Sequence, residues 1–311
     1  AAIEIGNDYN KSYELTVNNA TVNGFAINPN GFVTGTTLWA NKNSMSKDKL
    51  NVVVDGVSYN DFREAVATAM ELNKPVEFIQ NVAIDADETI TVPAGKELTL
   101  NLNGYTLSGV TNETDSNRNM FDVRGEMTVN GANTLTRAGA AEGNGCITIN
   151  HIGNNMGWGA STNVFNVTAG GVLNLENVVA KNLGGSDMAF VAHLNNWGEA
   201  TLNATNSTFE STYIAIRAFN SGYDMNNISI YNSTLKGKYC FWVHNYKAAG
   251  DSVGTDETLN LDILNGTNTF EYTSKAPILY GFANPIYYDA EGTVVVSNTD
   301  ELNAALKTYT C

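Results

Sequence analysis

The chain has 311 residues, of which 43% are hydrophobic and only 16% are charged, and its formal net charge at pH 7 is −15. This length suits one elongated domain or two ordinary domains, and the hydrophobic fraction is sufficient for a substantial core. The acidic balance argues against nucleic acid and anionic membranes as partners, because a protein that binds them needs a basic patch. No apolar run approaches the roughly 18 residues of a membrane span, so membrane insertion is not predicted.

Residues 1–56 contain four or five short β-type segments separated by turn signals, among them Asn28-Pro29-Asn30-Gly31. We interpret this region as a small Ig-like β domain or as an extended attachment arm. Residues Leu50 to Gly56 form the last predicted strand of this region. The domain boundary is therefore predicted at residue 56.

A helix is predicted next, at about residues 60–73. Asn60 or Asp61 can cap its first turn, and Asn73-Lys74-Pro75 ends it. Apolar residues recur at helical spacing between these limits, namely Phe62, Val66, Ala69, Met70 and Leu72. An amphipathic helix directly before a series of strands can cover the open end of a stacked-strand core, so we predict that it is a cap.

From Ile90 to Phe270 the chain repeats one pattern six times: an alternating strand, a Gly-containing turn, a second strand and an Asn corner. The second strands are anchored by Leu100, Val129, Leu175, Leu202, Ile230 and Leu261. Successive anchors are 27 to 31 residues apart except for one interval of 46, which holds either an additional coil around Cys146-Ile147-Thr148-Ile149 or one long loop. Units of this length cannot bury a face alone but form a continuous core when stacked.

Alternation within the strands predicts which side chains face that core. The inward set is Phe121, Val123, Phe165, Val167, Ile214, Ile216, Leu259 and Leu261. The corner residues of the repeats suit the left-handed backbone conformation, which asparagine tolerates better than most residues. They are Asn130, Asn177, Asn206, Asn232 and Asn265.

Two segments carry a family resemblance: VSYNDFREAVATAMELNKPVEF from Val57 and GKELTLNLNGYTLSG from Gly95. They are similar to the capping helix with its first strand, and to the first full coil, of secreted bacterial β-helix proteins. Residues 57–310 thus resemble the right-handed parallel β-helix of the pectin-lyase-like superfamily. The resemblance implies an all-β fold over residues 57–311 and a location outside the cell, either secreted, on a cell surface or on a virion. It indicates no single reaction, because the superfamily includes lyases, glycosidases, esterases, adhesins and phage tailspikes.

The segment from Val296 to Leu306 echoes the segment from Val57 to Val66 and predicts a second cap-like helix at about residues 299–308. One interpretation makes this helix the lid at the other end of the β-helix. The other makes it the opening element of a further β-helix unit, and we favour this second interpretation because the echo is of an opening segment.

The residue sets that make this fold catalytic are missing from the sequence. Lyases of the family that this chain resembles need a basic residue together with clustered Asp or further basic residues. Among the arginines of this chain, only Arg217 is predicted to lie in the middle of a regular coil strand. Its alternative interpretation is a solvated outward side chain. Glycosidases of the family that this chain resembles need paired carboxylates, and one group of them carries an Asn-Thr-Asp strand. Asn298-Thr299-Asp300 has the same three residues, but it lies in the terminal helix segment and not in a coil. We therefore predict no catalytic residue, no metal and no cofactor.

The three cysteines, Cys146, Cys240 and Cys311, fit neither a disulfide framework nor a zinc motif. Cys146 and Cys240 lie within apolar runs. They are predicted to be buried as small hydrophobic side chains.

An aromatic constellation is the candidate binding site. Alternation places Trp242, His244 and Tyr246 on one outward face. Aligning Asn206 with Asn232 sets the predicted register between the preceding coils. In that register His193 lies beside Phe219. The predicted carbohydrate-binding residues are Trp242, His244, Tyr246, Arg217, Phe219 and His193, with Trp158 and Trp197 in nearby loops. Aromatic rings with a few hydrogen-bonding groups suit the apolar faces of sugars. The alternative is the opposite orientation, in which Trp242 is buried and Phe241 is exposed.

The predicted function is therefore that of a non-catalytic surface or extracellular β-helix protein, acting as an adhesin, a carbohydrate-binding module or a structural fibre module. Its expected partner is a polysaccharide or a glycoprotein glycan. Two alternatives remain open: a polysaccharide lyase or glycoside hydrolase acting on a surface glycan near Arg217, and a self-assembling filament or stalk subunit that forms homo-oligomers.

Overall fold

The computed structural model describes residues 51–111, 118–133, 143–151, 161–184, 188–195, 199–220, 226–245, 259–281 and 285–309. The first 50 residues lie outside these ranges, so the amino-terminal β domain stays a prediction. Within them the chain is an all-β parallel β-helix with one α-helix at each end. This confirms the predicted fold class.

Seven coils of three strands each follow an opening hairpin and helix. The opening elements are β1 (Val52–Val54), β2 (Val57–Tyr59) and α1 (Phe62–Leu72). The first four coils are β3 (Val76–Phe78), β4 (Val82–Asp85) and β5 (Ile90–Val92); β6 (Glu97–Asn101), β7 (Thr106–Thr111) and β8 (Arg118–Val123); β9 (Glu126–Asn130), β10 (Cys146–His151) and β11 (Thr162–Thr168); and β12 (Val172–Glu176), β13 (Val179–Asn182) and β14 (Ala189–Asn195). The last three are β15 (Ala200–Thr205), β16 (Thr208–Ser211) and β17 (Ile214–Asn220); β18 (Asn226–Tyr231), β19 (Thr234–Gly237) and β20 (Tyr239–Asn245); and β21 (Leu259–Asp262), β22 (Thr269–Tyr272) and β23 (Ile278–Tyr280). The closing elements are β24 (Ile286–Tyr288), β25 (Val294–Val295) and α2 (Thr299–Tyr309).

Equivalent strands of successive coils pair in parallel and form three sheets. Sheet 1 has the order β2-β1-β3-β6-β9-β12-β15-β18-β21, sheet 2 runs from β4 to β22, and sheet 3 runs from β5 to β23 and continues into β24 and β25. Among the described strands, only those at the two ends pair in antiparallel fashion: β1 pairs with β2 and β3, and β23, β24 and β25 pair in series. The strand β1, which the sequence analysis placed in the amino-terminal region, therefore continues sheet 1.

The interior is filled by the alternating side chains that the sequence predicted. Phe121, Val123, Phe165, Val167 and Ile216 are fully buried in this core. Ile214 is also fully buried, but it packs with Phe190 and Trp242 in a separate apolar cluster on sheet 3, so its predicted inward position is wrong. The rings of Phe121 and Phe165 stack on adjacent strands with their centroids 5.7 Å apart. Each such side chain contributes roughly 1.5–3 kcal/mol by leaving water. The side chains of Leu259 and Leu261 lie outside the described residues.

The helix α1 covers the open end of the first coil, as predicted. The carboxylate of Asp61 caps it by accepting hydrogen bonds from the backbone N–H groups of Arg63 and Glu64 at 2.9 and 3.2 Å. Its buried face consists of Phe62, Ala65, Val66 and Ala69. Leu72, which the helical spacing had included, is 49% exposed because the last turn extends past the core.

Three of the five predicted Asn corners adopt the left-handed conformation, with φ between 49° and 55° at Asn177, Asn206 and Asn232. The prediction is wrong for the other two. Asn130 is the last residue of β9, and at Asn265 the following Gly266 takes the positive φ of 78° instead. Gly131, after Asn130, is required for another reason, since a Cβ atom there would lie 1.9 Å from the carbonyl oxygen of Asn177.

The long interval in the repeat holds one ordinary coil. Strand β10 pairs with β7 on one side and β13 on the other, so it is the sheet 2 strand of the third coil. The additional residues lie in the two connections on either side of β10. The structure also shifts two anchors, because Leu175 pairs with Ala204 and not with Leu202, and Leu261 pairs with Ile228 and not with Ile230.

The carboxy-terminal helix α2 packs beside β24 at the other end of the β-helix. Ala305 is buried there, and Lys275 forms an ion pair with Glu301. Both interpretations of this helix, as lid and as opening element, stay predictions. Among the described residues, no helix is both long enough and apolar enough to cross a membrane.

Candidate functional site

The outer face of sheet 3 carries a row of aligned side chains that changes in character along the β-helix. Direct register neighbours on successive strands place Asp122, Asn166, His193, Arg217, Trp242 and Leu279 in this central row. The row thus passes from an acid through an amide to cationic and aromatic groups, and ends on an apolar side chain. Phe219 and His244 are aligned in the next row.

The register differs from the predicted one by two residues. His193 lies beside Arg217, and Asn195, not His193, lies beside Phe219. The cause is the connection between sheets 3 and 1, which is two residues longer from Phe219 to Asn226 than from Asn195 to Ala200. An alignment anchored on the Asn corners therefore does not carry over to sheet 3.

The orientation of these side chains is as predicted, but their exposure is not. Phe241 and Val243 face the core and Trp242 and His244 the opposite side, so the opposite orientation is wrong. Exposed fractions are nevertheless only 7% for His193, 8% for Arg217, and 4% for both Trp242 and His244. The interpretation of Arg217 as a solvated side chain is wrong for the same reason.

Aromatic rings surround the guanidinium group of Arg217. Its central carbon lies 4.8 Å from the ring centroid of Trp242, 4.9 Å from that of Phe219 and 5.4 Å from that of Phe190. Its Nη2 group donates a hydrogen bond to Nδ1 of His244 at 2.6 Å. We call the six residues of this assembly the Arg217 cluster: Phe190, His193, Arg217, Phe219, Trp242 and His244.

The rings of the cluster hold one another in place. Trp242 and His244 stack with centroids 4.4 Å apart and an interplanar angle of 10°, and Phe219 meets His244 edge-on at 4.9 Å. The indole Nε1 of Trp242 donates to the carbonyl oxygen of Gly281 at 2.8 Å. The cluster is therefore anchored through both its rings and its polar atoms.

Burial lowers the pKa of each basic side chain in the cluster. It lowers the pKa of Arg217 to about 10. Burial, and then the charge of Arg217, lower the pKa of His244 to about 3. Burial, followed by the charges of Arg217 and His244, lowers the pKa of His193 well below its usual value. At neutral pH the cluster thus holds one positive charge and two neutral imidazole rings, and the neutral ring of His244 can accept the hydrogen bond from Arg217.

A second group of aromatic and basic residues lies beside the cluster and is more accessible. We call it the tyrosine–lysine strip; it consists of Tyr213, Lys238, Tyr239, Lys275 and Tyr287. The tyrosines are half-buried and both lysines are exposed. The tyrosines pack against an apolar group that consists of Met188, Phe190, Ile214, Trp242 and Leu279.

Close ring and cation contacts connect the members of this strip. The ring centroids of Tyr213 and Tyr239 are 6.2 Å apart, and those of Tyr239 and Tyr287 are 6.4 Å apart. The Nζ atom of Lys238 lies 5.3 Å from the ring of Tyr213, and that of Lys275 lies 3.6 Å from the ring of Tyr287. The strip was not predicted from the repeat pattern, although aligning β17 with β20 places Tyr239 next to Ile214 in the row beside the cluster.

Three of the predicted binding residues, Tyr246, Trp158 and Trp197, lie outside the described residues and stay predictions. The predicted burial of the cysteines is correct for Cys240 and wrong for Cys146, which is half-buried because it points outward from sheet 2. Burial raises the pKa of Cys146 and raises that of Cys240 to about 12, so neither thiol ionises readily.

In the part of the chain that the structure describes, no group of three or more His, Cys, Asp or Glu side chains is placed to hold a metal ion. Comparison with models of protein families, with curated proteins and with solved structures finds no match. We therefore infer the function of the candidate site from its geometry.

Proposed function

We propose that this protein is a non-catalytic extracellular β-helix of the pectin-lyase-like type that binds a glycan at the outer face of sheet 3. The observation that supports this proposal is the difference between the three outer faces. Sheet 1 carries short polar side chains such as Thr128, Asn174 and Asn203, and sheet 2 carries a row of lysine and glutamate. Only on sheet 3 do the described strands gather aromatic rings together with cationic groups.

In this proposal the tyrosine–lysine strip makes the direct contact with the glycan. Half-buried tyrosine rings offer a flat apolar surface to the carbon–hydrogen face of a sugar, while their hydroxyl groups and the lysine ammonium groups bind sugar hydroxyls. The Arg217 cluster lies beside the strip, and two of its residues, Phe190 and Trp242, belong to the apolar group against which the tyrosines pack. A protein of this design acts as an adhesin or carbohydrate-binding module, and it is secreted or displayed on a cell or virion surface.

The second candidate is a polysaccharide lyase or glycoside hydrolase. It is favoured by one observation, the burial of Arg217 beside His193 on the outer face, because perturbed proton equilibria in a cluster are typical of active sites. The described residues provide no paired carboxylates beside Arg217, so we place this candidate second.

The direct test is binding of the full chain to a panel of immobilised glycans. We expect at least one glycan to be retained, and we expect Tyr239→Ala to weaken its binding about tenfold, since a lost ring contact is worth on the order of 1–2 kcal/mol. The matched control is Tyr272→Ala, which removes an exposed tyrosine from sheet 2. Equal loss in both variants, or no retained glycan, would contradict the proposal.

A turnover assay on the same glycans separates the two candidates. If the unmodified chain produces new reducing ends or the absorbance of unsaturated uronate, and Arg217→Lys abolishes this activity, the protein is an enzyme and not a binding module. Binding without turnover supports the non-catalytic function.

A further inference from the structure

The positive charge of Arg217 has no carboxylate partner among the described residues. The other three arginines in the described ranges each have one: Arg63 pairs with Glu88, Arg118 with Asp87 and Arg124 with Asp122. Those three pairs lie nearer the solvent, whereas Arg217 is 8% exposed. A buried charge without a compensating group is costly to fold, so this exception needs an explanation.

The acid of the central row does not supply that compensation. Asp122 is three strands away from Arg217, a separation of roughly 14 Å at the usual strand spacing. Its carboxylate already accepts hydrogen bonds from Nδ2 of Asn166 at 2.7 Å and from Nε of Arg124 at 2.8 Å. The row therefore places its only described acid beside another base.

The aromatic rings compensate Arg217 only in part. They attract the flat face of the guanidinium group through the negative faces of their π systems. The N–H bonds of arginine lie in the guanidinium plane and need acceptors at the edge. The Nε atom of Arg217 is buried and has no hydrogen-bond partner among the described residues.

A second buried nitrogen shares this condition on the adjacent strand. Nε2 of His193 is also without a hydrogen-bond partner among the described residues, and His193 is the direct register neighbour of Arg217. Neighbouring strands are about 4.8 Å apart. One small acceptor between the two strands can therefore take a hydrogen bond from each nitrogen.

We propose that the Arg217 cluster binds a small anion, which accepts hydrogen bonds from Nε of Arg217 and from Nε2 of His193. The anion is either a free ion such as chloride or acetate, or the carboxylate of an acidic sugar. This inference does not rest on glycan binding, because a free anion satisfies the same two donors. Its test also has a separate readout, so that either proposal can fail alone.

The test measures the thermal unfolding of the full chain against the concentration of sodium chloride, sodium acetate or sodium glucuronate, with ionic strength held constant. We expect the melting temperature to rise by a few degrees and to saturate, as it does for a ligand that binds only the folded state. Arg217→Met keeps the volume of the side chain but removes the charge, and we expect it to lose the saturating response. Lys96→Met removes an exposed charge between β5 and β6, outside the cluster and the strip, and is the matched control that keeps the response.

The three salts separate the sources of the anion. A response to chloride and acetate identifies a free small anion, and a response to glucuronate alone identifies an acidic sugar. A response of equal size in the unmodified protein and in Arg217→Met would overturn the proposal, since it would reflect general salt effects. No response to any of the salts would overturn it as well.

A second measurement serves if Arg217→Met does not fold. The chlorine-35 resonance of the solution broadens when chloride exchanges with a protein site, and we expect the unmodified chain to broaden it. Acetate should reverse this broadening by competing for the same donors. Broadening that acetate leaves unchanged would contradict the proposed site, and so would the absence of any broadening together with no effect of glucuronate on the melting temperature of the unmodified chain.

Discussion

Sheets 2 and 3 stack their strands in the same parallel manner, yet they treat charge on their outer faces in opposite ways. On sheet 2, Lys181, Glu210, Lys236 and Glu271 alternate on successive strands and form ion pairs of 2.8, 3.4 and 3.6 Å near the solvent. On sheet 3, Arg217 is buried among rings with no described carboxylate beside it. Stacking therefore aligns like positions in both sheets, and the choice of residues decides whether the charge is compensated.

The two arrangements have different physical consequences. The sheet 2 row lowers the pKa of Glu210, first through its hydrogen bond with Lys181, and raises the pKa of Lys181 through the same bond. Exposed pairs of this kind add little stability each, but they oppose a slip of the strand register. The Arg217 cluster instead carries a desolvated charge, an arrangement more typical of a binding site than of a structural element.

The largest expected difference between the two faces is in packing. Trp242→Ala should lower the free energy of unfolding by about 3–5 kcal/mol, because it removes a buried ring together with its contacts to His244 and Arg217. Tyr272→Ala on sheet 2 should change it by less than about 0.5 kcal/mol, since this tyrosine is 43% exposed. Urea unfolding of both variants measures this difference in the free energy of unfolding. Similar losses in the two variants would contradict the expected difference between the two faces.

Acid should destabilise the sheet 3 face selectively. The pKa values of His193 and His244 are lowered in the folded chain, so below about pH 6.5 the unfolded chain binds protons that the folded chain does not. For His244 this difference extends down to about pH 3. The stability that these residues contribute is present above pH 6.5 and is lost as the pH falls. The expected slope is roughly 1.4 kcal/mol per pH unit for each histidine.

Urea unfolding between pH 6.5 and pH 5 measures this slope above the range in which most carboxylates titrate. His193→Gln should remove about half of it. An unchanged slope in this variant would show that the acid sensitivity arises elsewhere in the chain.

The smallest effect belongs to the sheet 2 row. A double-mutant cycle of Lys181→Ala with Glu210→Ala should give a coupling of about 0.2–1 kcal/mol at low salt, which decreases at 1 M salt because exposed charges are screened. The same cycle between Lys181 and Glu271, which are three strands apart, is the control with no expected coupling. A coupling above about 2 kcal/mol would mean that the row is effectively buried.

The predictable part of the fold was the part governed by local periodicity. Alternation with a period of two placed Phe121 and Phe165 in the core, and the helical spacing with its Asp61 cap located α1. The register of sheet 3 was not predictable from the Asn corners, because the connection after Phe219 is two residues longer than its counterpart in the preceding coil.

The sequence predicted which residues belong to the candidate site better than it predicted how deeply they are buried. Alternation indicates which face a side chain takes, so Arg217, Trp242 and His244 were correctly placed on the outer face of sheet 3. Alternation carries no information about what lies above that face, so the burial of these residues could not follow from it. The tyrosine–lysine strip was missed because Tyr213 and Lys238 lie in the short connections between strands, where the repeat pattern is weakest.

The most direct test of the contrast between the faces is a nuclear magnetic resonance titration of the three histidine rings in the full chain. Assignment uses His193→Gln and His244→Gln, each of which removes one set of ring signals. We predict that both rings keep the signals of neutral imidazole from pH 8 down to pH 5, because burial and Arg217 disfavour a second charge. Titration of both rings near pH 6.5, as in water, would contradict the account of a buried, positively charged cluster on sheet 3.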